Sequence, residues 1–150
     1  MKLQGNSGFT LVELMAGMVS AAVLALVFSA VMIYGYKGWT RLKAESAMQC
    51  DADVAMRTMD RIGRVASNAT VSANTLNLIL TNGVTQTFSK QGSGSNLLWT
   101  VAGVTSVLIS NRVSMFTNVV SPDGATVAIK LILAEGSETM DMQYSIFLRN

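Results

Sequence analysis

The sequence contains no histidine. That removes the commonest general base and the commonest metal ligand. Its one cysteine, Cys50, excludes a disulfide within the chain and any cysteine-based zinc site. Its one proline is Pro122, so a helix through the first half of the chain meets no proline break. Charge is scarce: 13% of residues are charged and 50% are hydrophobic, a balance that argues against an ordinary soluble enzyme. The net charge of +2 is too small to indicate a nucleic-acid binder by itself. No phosphate-binding loop is present, and no serine sits in a motif with a base. Nothing in the sequence therefore points to a catalytic residue, a metal ligand or a cofactor, and no enzyme is expected. The 150 residues amount to one domain plus an appendage.

What is present is a long uncharged run. From Leu14 to Tyr36 no side chain carries a charge. About 20 apolar helical residues cross a bilayer core, so this run is long enough. Lys2 precedes it and Lys37, Arg41 and Lys43 follow it, which leaves the charge rule ambiguous about orientation. A cleaved secretory signal has a shorter apolar core and a small-residue cut site after it. This run is too long for that and flows into more helix. A plain signal anchor fits the length but leaves Glu13, at the head of the run, unexplained. An ionisable residue at membrane depth is a functional position by default.

The residues "GFTLVEL" resemble the class III signal of type IV prepilins and pseudopilins. The resemblance implies that a prepilin peptidase cuts between Gly8 and Phe9, on the cytoplasmic side and before the apolar run. Phe9 then becomes the N-methylated terminus, and Glu13 the fifth residue of the mature chain. Residues four apart share a helix face, so Glu13 can approach the new Phe9 amine or that of a neighbouring subunit. Such a pair matters most in a low-dielectric interior. Glu13 also sits in the first turns of the helix, where negative charge suits the macrodipole. Many major pilins that this segment resembles carry a proline partway down the run. This chain has none there, and Gly17 is its only obvious weak point.

Beyond the run, the sequence keeps a helical period to about Asn68. A helix from Phe9 to that point would be roughly 90 Å long. "YGYKG", with Gly35 and Gly38, marks a softer joint just outside the span. Ala44, Met48, Ala52, Ala55, Met59, Ile62 and Ala66 form one apolar stripe. Arg57, Arg61 and Arg64 fall on the opposite face. Asp53 and Asp60 precede Arg57 and Arg64 by four, the favourable order for helix ion pairs. The arginines read as a solvated face rather than a nucleic-acid stripe, because non-specific binding needs several unpaired cations. Cys50 falls on the polar side. Asp51 and Asp53 are two apart and do not share a face, which speaks against a shared metal.

After Asn68 the period changes to two. "TLNLIL" alternates at Leu76, Leu78 and Leu80, and Asn82-Gly83 is a hairpin signal before "VTQTFS". "QGSGSN" reads as a flexible loop, and "LLWTVAG" and "VTSVLI" as strands with Gly103 between them. "RVSMFTNVV" and "ATVAIKLILAE" flank "SPDG", a turn built on Pro122, Asp123 and Gly124. In the second of these, Val127, Ile129, Leu131 and Leu133 face one way and Lys130 the other. "TMDMQYSIFLRN" alternates at Met140, Met142, Tyr144, Ile146 and Leu148. The acids in "SPDG" and "AEGSETMD" match no defined calcium loop and read as turn and surface. The expectation is an α+β fold: an antiparallel sheet with one apolar face, covered by the helix stripe.

That architecture is the one the pilin resemblance implies. "AMRTMDRIGRVA", "LLWTVAGVTSVLISNRVSMF" and the ending "FLRN" resemble minor pseudopilins of type II secretion systems, in particular the J-like and related W-like minor pilins. The organisation expected is a cleaved leader over 1–8, an apolar helix over 9–36, an amphipathic helix over 37–68 and a sheet head over 69–150. The function implied is that of a structural minor pseudopilin or minor pilin in a type II secretion pseudopilus or type IV pilus-like filament. Its implied location is the bacterial inner membrane, single-pass, with the head in the periplasm or outside. Its implied partners are prepilin peptidase, other pilins or pseudopilins and, indirectly, an assembly platform protein and ATPase. The alternative is a minor pilin whose head binds DNA, a surface or a secreted cargo.

Overall fold

The computed structural model describes residues 9–149. The fold is α+β, as the two periodicities require: one long N-terminal helix followed by antiparallel strands. Helix α1 covers Leu11–Gly63. Contacts divide the chain into two compact units, one ending at Arg41 and one beginning at Leu42.

In the first unit every side chain from Phe9 to Arg41 is exposed. The helix there is long and apolar enough to cross a membrane. Its serines do not interrupt it, because the Ser20 and Ser29 hydroxyls donate to the Ala16 and Ala25 carbonyls four residues back, each at 2.8 Å.

In the second unit the same helix becomes one-sided. Met48, Ala52, Ala55, Met56, Met59 and Ile62 are buried, whereas Asp53, Arg57 and Arg61 are exposed. The stripe is the expected one with Met56 added. The helix stops at Gly63, and Val65 N–H closes onto the Ile62 carbonyl at 3.1 Å in a tighter last turn. The expectation of helix to about Asn68 is corrected here. Strand β1 begins at Ala66 and runs to Ser72. Its Ser, Asn, Thr and Val residues are weak helix formers, and pairing with the next strand satisfies their backbone. Ala66 is buried as a helix stripe would demand, but it is buried in a strand.

The strands after β1 fall where the alternation places them: β2 Thr75–Leu80, β3 Thr85–Lys90, β4 Leu97–Val101, β5 Val104–Ile109, β6 Val113–Val120, β7 Thr126–Glu135 and β8 Glu138–Phe147. They make two sheets rather than the one expected. β1-β2-β3-β4-β5 form a five-stranded antiparallel meander, and β6-β7-β8 a three-stranded one. The break falls at Ser110–Arg112, where Asn111 takes a left-handed φ of 57° and its N–H is held by Asn96 Oδ1 at 2.7 Å. Asparagine tolerates that conformation better than most residues. Val113 N–H then bonds the Ser95 carbonyl at 2.8 Å, and Asn118 Nδ2 bonds the Thr75 carbonyl at 2.8 Å, tying β6 to the larger sheet.

A single core joins the parts. Leu76, Leu78, Phe88, Leu97 and Ile109 come from the larger sheet and Phe116, Ile129, Leu131, Leu133 and Ile146 from the smaller. The helix methionines complete it. Each such side chain contributes on the order of 1.5–3 kcal/mol when fully buried. Phe88 stacks on Trp99 with centroids 6.3 Å apart, and the indole N–H donates to Gln86 at 2.9 Å, so the polar end of the half-buried tryptophan is satisfied.

Candidate functional site

Of the residues singled out by the signal motif, Gly8 lies outside the described residues. Phe9 and Glu13 lie within them, and both are exposed. Thr10, just ahead of α1, is a partner for Glu13 that the expected pairing with an amine does not include. Its N–H and hydroxyl both reach Glu13 Oε2 at 2.9 Å, and Glu13 N–H reaches the Thr10 hydroxyl at 3.3 Å. This is a reciprocal capping box, with Thr10 as N-cap and Glu13 three residues into the helix. It satisfies donors that a helix start otherwise leaves unpaired. The local signal was Thr-x-x-Glu, and it sits inside the signal motif itself. Glu13 therefore starts the helix as well as carrying charge at the head of the apolar run.

The exposed stretch that follows is the second part of the site. Val12, Met15, Val19, Leu26, Phe28, Met32 and Tyr36 all project outward, on every side of the helix. A helix apolar all round demands an apolar surrounding, whether lipid or other helices.

The polar residues of the second unit resolve into structural pairs. Arg57 and Arg64 meet Asp53 and Asp60 at 2.8 Å, the two pairs that the spacing predicts. Asp51 turns elsewhere. It meets Arg112 Nη1 at 2.5 Å, while Arg112 Nε meets Glu135 at 2.7 Å. Hydrogen bonding to Asp51 first, and the nearby Glu135, raise the Arg112 guanidinium above its ordinary value against the cost of burial. This half-buried bridge joins the helix, the break between the sheets and the end of β7. No local signal marks it, because Asp51 and Arg112 are far apart in sequence. Lys130 pairs with Asp141 at 2.8 Å across β7 and β8.

The "SPDG" acid is likewise engaged. Asp123 Oδ1 accepts from the Ser121 hydroxyl and from Ala125 N–H, which together hold its carboxyl below the usual range. A depressed folded value means that the turn's stabilisation is present above the ordinary carboxylate pKa and is lost as pH falls through the lowered one. Asp123, Glu135 and Asp141 are thus tied to three different partners. Cys50 is exposed on the helix and lines a shallow dip with Ser46, Gln49, Asp53 and Met142.

No family model, curated protein or solved structure matches this chain. What the site offers stands on its own residues: a capped helix start, an acid in its first turn, an all-apolar helix able to cross a membrane and a compact α+β unit.

Proposed function

We propose that this chain is a structural pilin-like subunit, processed by a prepilin peptidase between Gly8 and Phe9 and assembled into a filament through its N-terminal helix. The observation that carries the reading is the sequence Gly8-Phe9-x-x-x-Glu13 set directly before the exposed apolar helix. In this reading the helix waits in the inner membrane and exchanges lipid for neighbouring subunits on assembly. Both surroundings are apolar, so the exchange sacrifices little burial. Glu13 pairs with the amine that cleavage creates at Phe9, where low dielectric strengthens the attraction. An assembly ATPase and platform protein supply the work of extraction. Among filaments of this kind, the minor pseudopilin of a type II secretion system is the form favoured by the later sequence patterns.

The test is coexpression with a prepilin peptidase. Intact mass and N-terminal sequencing should show loss of residues 1–8, leaving 150 − 8 = 142 residues beginning at a methylated Phe9. Gly8→Val should block the cut. Removal of a longer peptide ending beyond the apolar run would sink the proposal. Glu13→Ala and Glu13→Gln should both be cleaved, yet crosslink poorly to neighbouring subunits. The glutamine still accepts from Thr10 and keeps the cap, so a normal Gln variant beside a defective Ala variant would reduce Glu13 to a capping residue.

A further inference from the structure

The larger sheet ends on β5, whose stretch from Val104 to Val107 pairs evenly with β4; the β-bulge of this pair lies beyond it, between Leu97 and Leu98 on β4. Between Lys90 and Arg112 there is no charged residue and no proline. Edge strands are ordinarily blunted by charge, proline, bulges or cover. β8, an outer strand of the smaller sheet, carries Glu138 and Asp141. Among the described residues β5 pairs with β4 alone, and Val104 and Val107 on it are 71% and 56% exposed.

The hairpin decides which backbone groups face outward. β4 and β5 are joined by Ala102 and Gly103, both at positive φ, closing on the Val101–Val104 pair. The closing pair of a two-residue hairpin exchanges its hydrogen bonds. Alternation runs unbroken from that pair to Leu98–Val107, ahead of the bulge, and turns the N–H and C=O of Thr105 and Val107 away from β4. The Thr100 and Thr105 hydroxyls lie 2.9 Å apart, in keeping with the close side chains of a non-hydrogen-bonded pair.

We propose that β5 is a self-pairing edge, at which two copies of this chain join antiparallel about a two-fold axis at Ser106. In this register Thr105 of each copy faces Val107 of the other, so both outward residues of both strands are used. Four backbone hydrogen bonds form. Thr105 and Val107 also become cross-strand β-branched neighbours on one face. A second copy is the favoured occupant because β5 is uncharged. An antiparallel self-pair sets a strand's own charges against each other, and here there are none to repel. The pairing does not depend on the filament proposal, which runs through the N-terminal helix.

The test uses the full-length chain in membranes, with Cys50→Ser to remove the native thiol. Ser106→Cys should give a disulfide-linked dimer on mild oxidation, because the two residues at the axis face each other within disulfide reach. Thr105→Cys should give about tenfold less, since its symmetry mate lies roughly 8 Å away along the strands. Val107→Pro removes an outward N–H that β4 does not use, and should abolish the dimer while leaving the thermal melt in place. Val107→Lys, which keeps the N–H and adds edge charge, should lower it about tenfold. Absence of the Ser106→Cys dimer in folded protein overturns the proposal. So does equal crosslinking at 105 and 106, which would report collision only. Crosslinking of 106 to a different polypeptide would mean that the edge takes a foreign strand, and self-pairing would be wrong.

Discussion

At the scale of single residues, two glycines show opposite reasons for having no side chain. Gly63, in the last turn of α1, has an ordinary helical backbone, but a Cβ there would overlap Cγ2 of Ile146 on β8. Alanine is the better helix former by about 1 kcal/mol, so propensity alone favours Gly63→Ala. Overpacking against β8 outweighs it, and we expect a net loss of about 1–3 kcal/mol in denaturant unfolding. Ile146→Ala removes the obstructing methyl. The double variant should therefore be less destabilised than the sum of the two singles by about 1 kcal/mol or more. An additive result would mean that helix and β8 do not meet at this point. Gly103 differs: nothing lies within 4 Å of its would-be Cβ, and its constraint is a φ of 84°.

At the scale of elements, the β4–β5 hairpin is built on a turn that its sequence serves imperfectly. The two-residue connection needs positive φ at both positions. Gly103 meets this freely, but Ala102 sits at 49°, where an L-residue with a Cβ is strained by about 1–2 kcal/mol. Asn-Gly is the favoured pair for such a turn. Ala102→Asn should raise the stability of the second unit by about 0.5–1 kcal/mol, read as a higher denaturant midpoint with an unchanged slope. The Asn-Gly of this chain sits elsewhere, between β2 and β3. There the loop spans more than two residues, with Gly83 alone at positive φ (80°) and Val84 N–H held by Asn82 Oδ1 at 3.0 Å. Both hairpins form, with different turn chemistry.

At the scale of the whole molecule, the helix serves two environments in succession. Among the described residues its side chains up to Arg41 are exposed, whereas from Met48 it supplies part of a closed core. Residues 42–150 should therefore express as a folded, soluble unit without the apolar run. In that fragment Met59→Asp should cost about 4 kcal/mol or more, because it places an unpaired charge among fully buried side chains. Arg61→Ala, on the exposed face, should stay within about 0.5 kcal/mol. Circular dichroism melts of the two variants decide, and the reverse ranking would mean that the helix faces are misassigned.

The sequence by itself determined the elements apart from the helix end and β1, together with their apolar sides. The uncharged run to Tyr36, the helical stripe through Ile62 and the alternation in β2, β7 and β8 all report local contrasts between neighbouring residues, and periodicity reads those contrasts directly. The ion pairs of Arg57 and Arg64 were legible for the same reason, since each closes within one helical turn. The Thr10–Glu13 cap was equally local. Its spacing lies in the sequence, but the apolar run beside it points to roles for the charge of Glu13, in the macrodipole and the Phe9 amine pair, and leaves Thr10 without one. Only the tertiary structure decided that the strands split into two sheets at Asn111, that Asp51 and Glu135 share Arg112, that Gly63 meets Ile146 and that β5 is left as an uncharged edge. A period reveals which face of an element is apolar. It carries no information about which distant element covers that face, because that choice depends on packing between residues far apart in the chain.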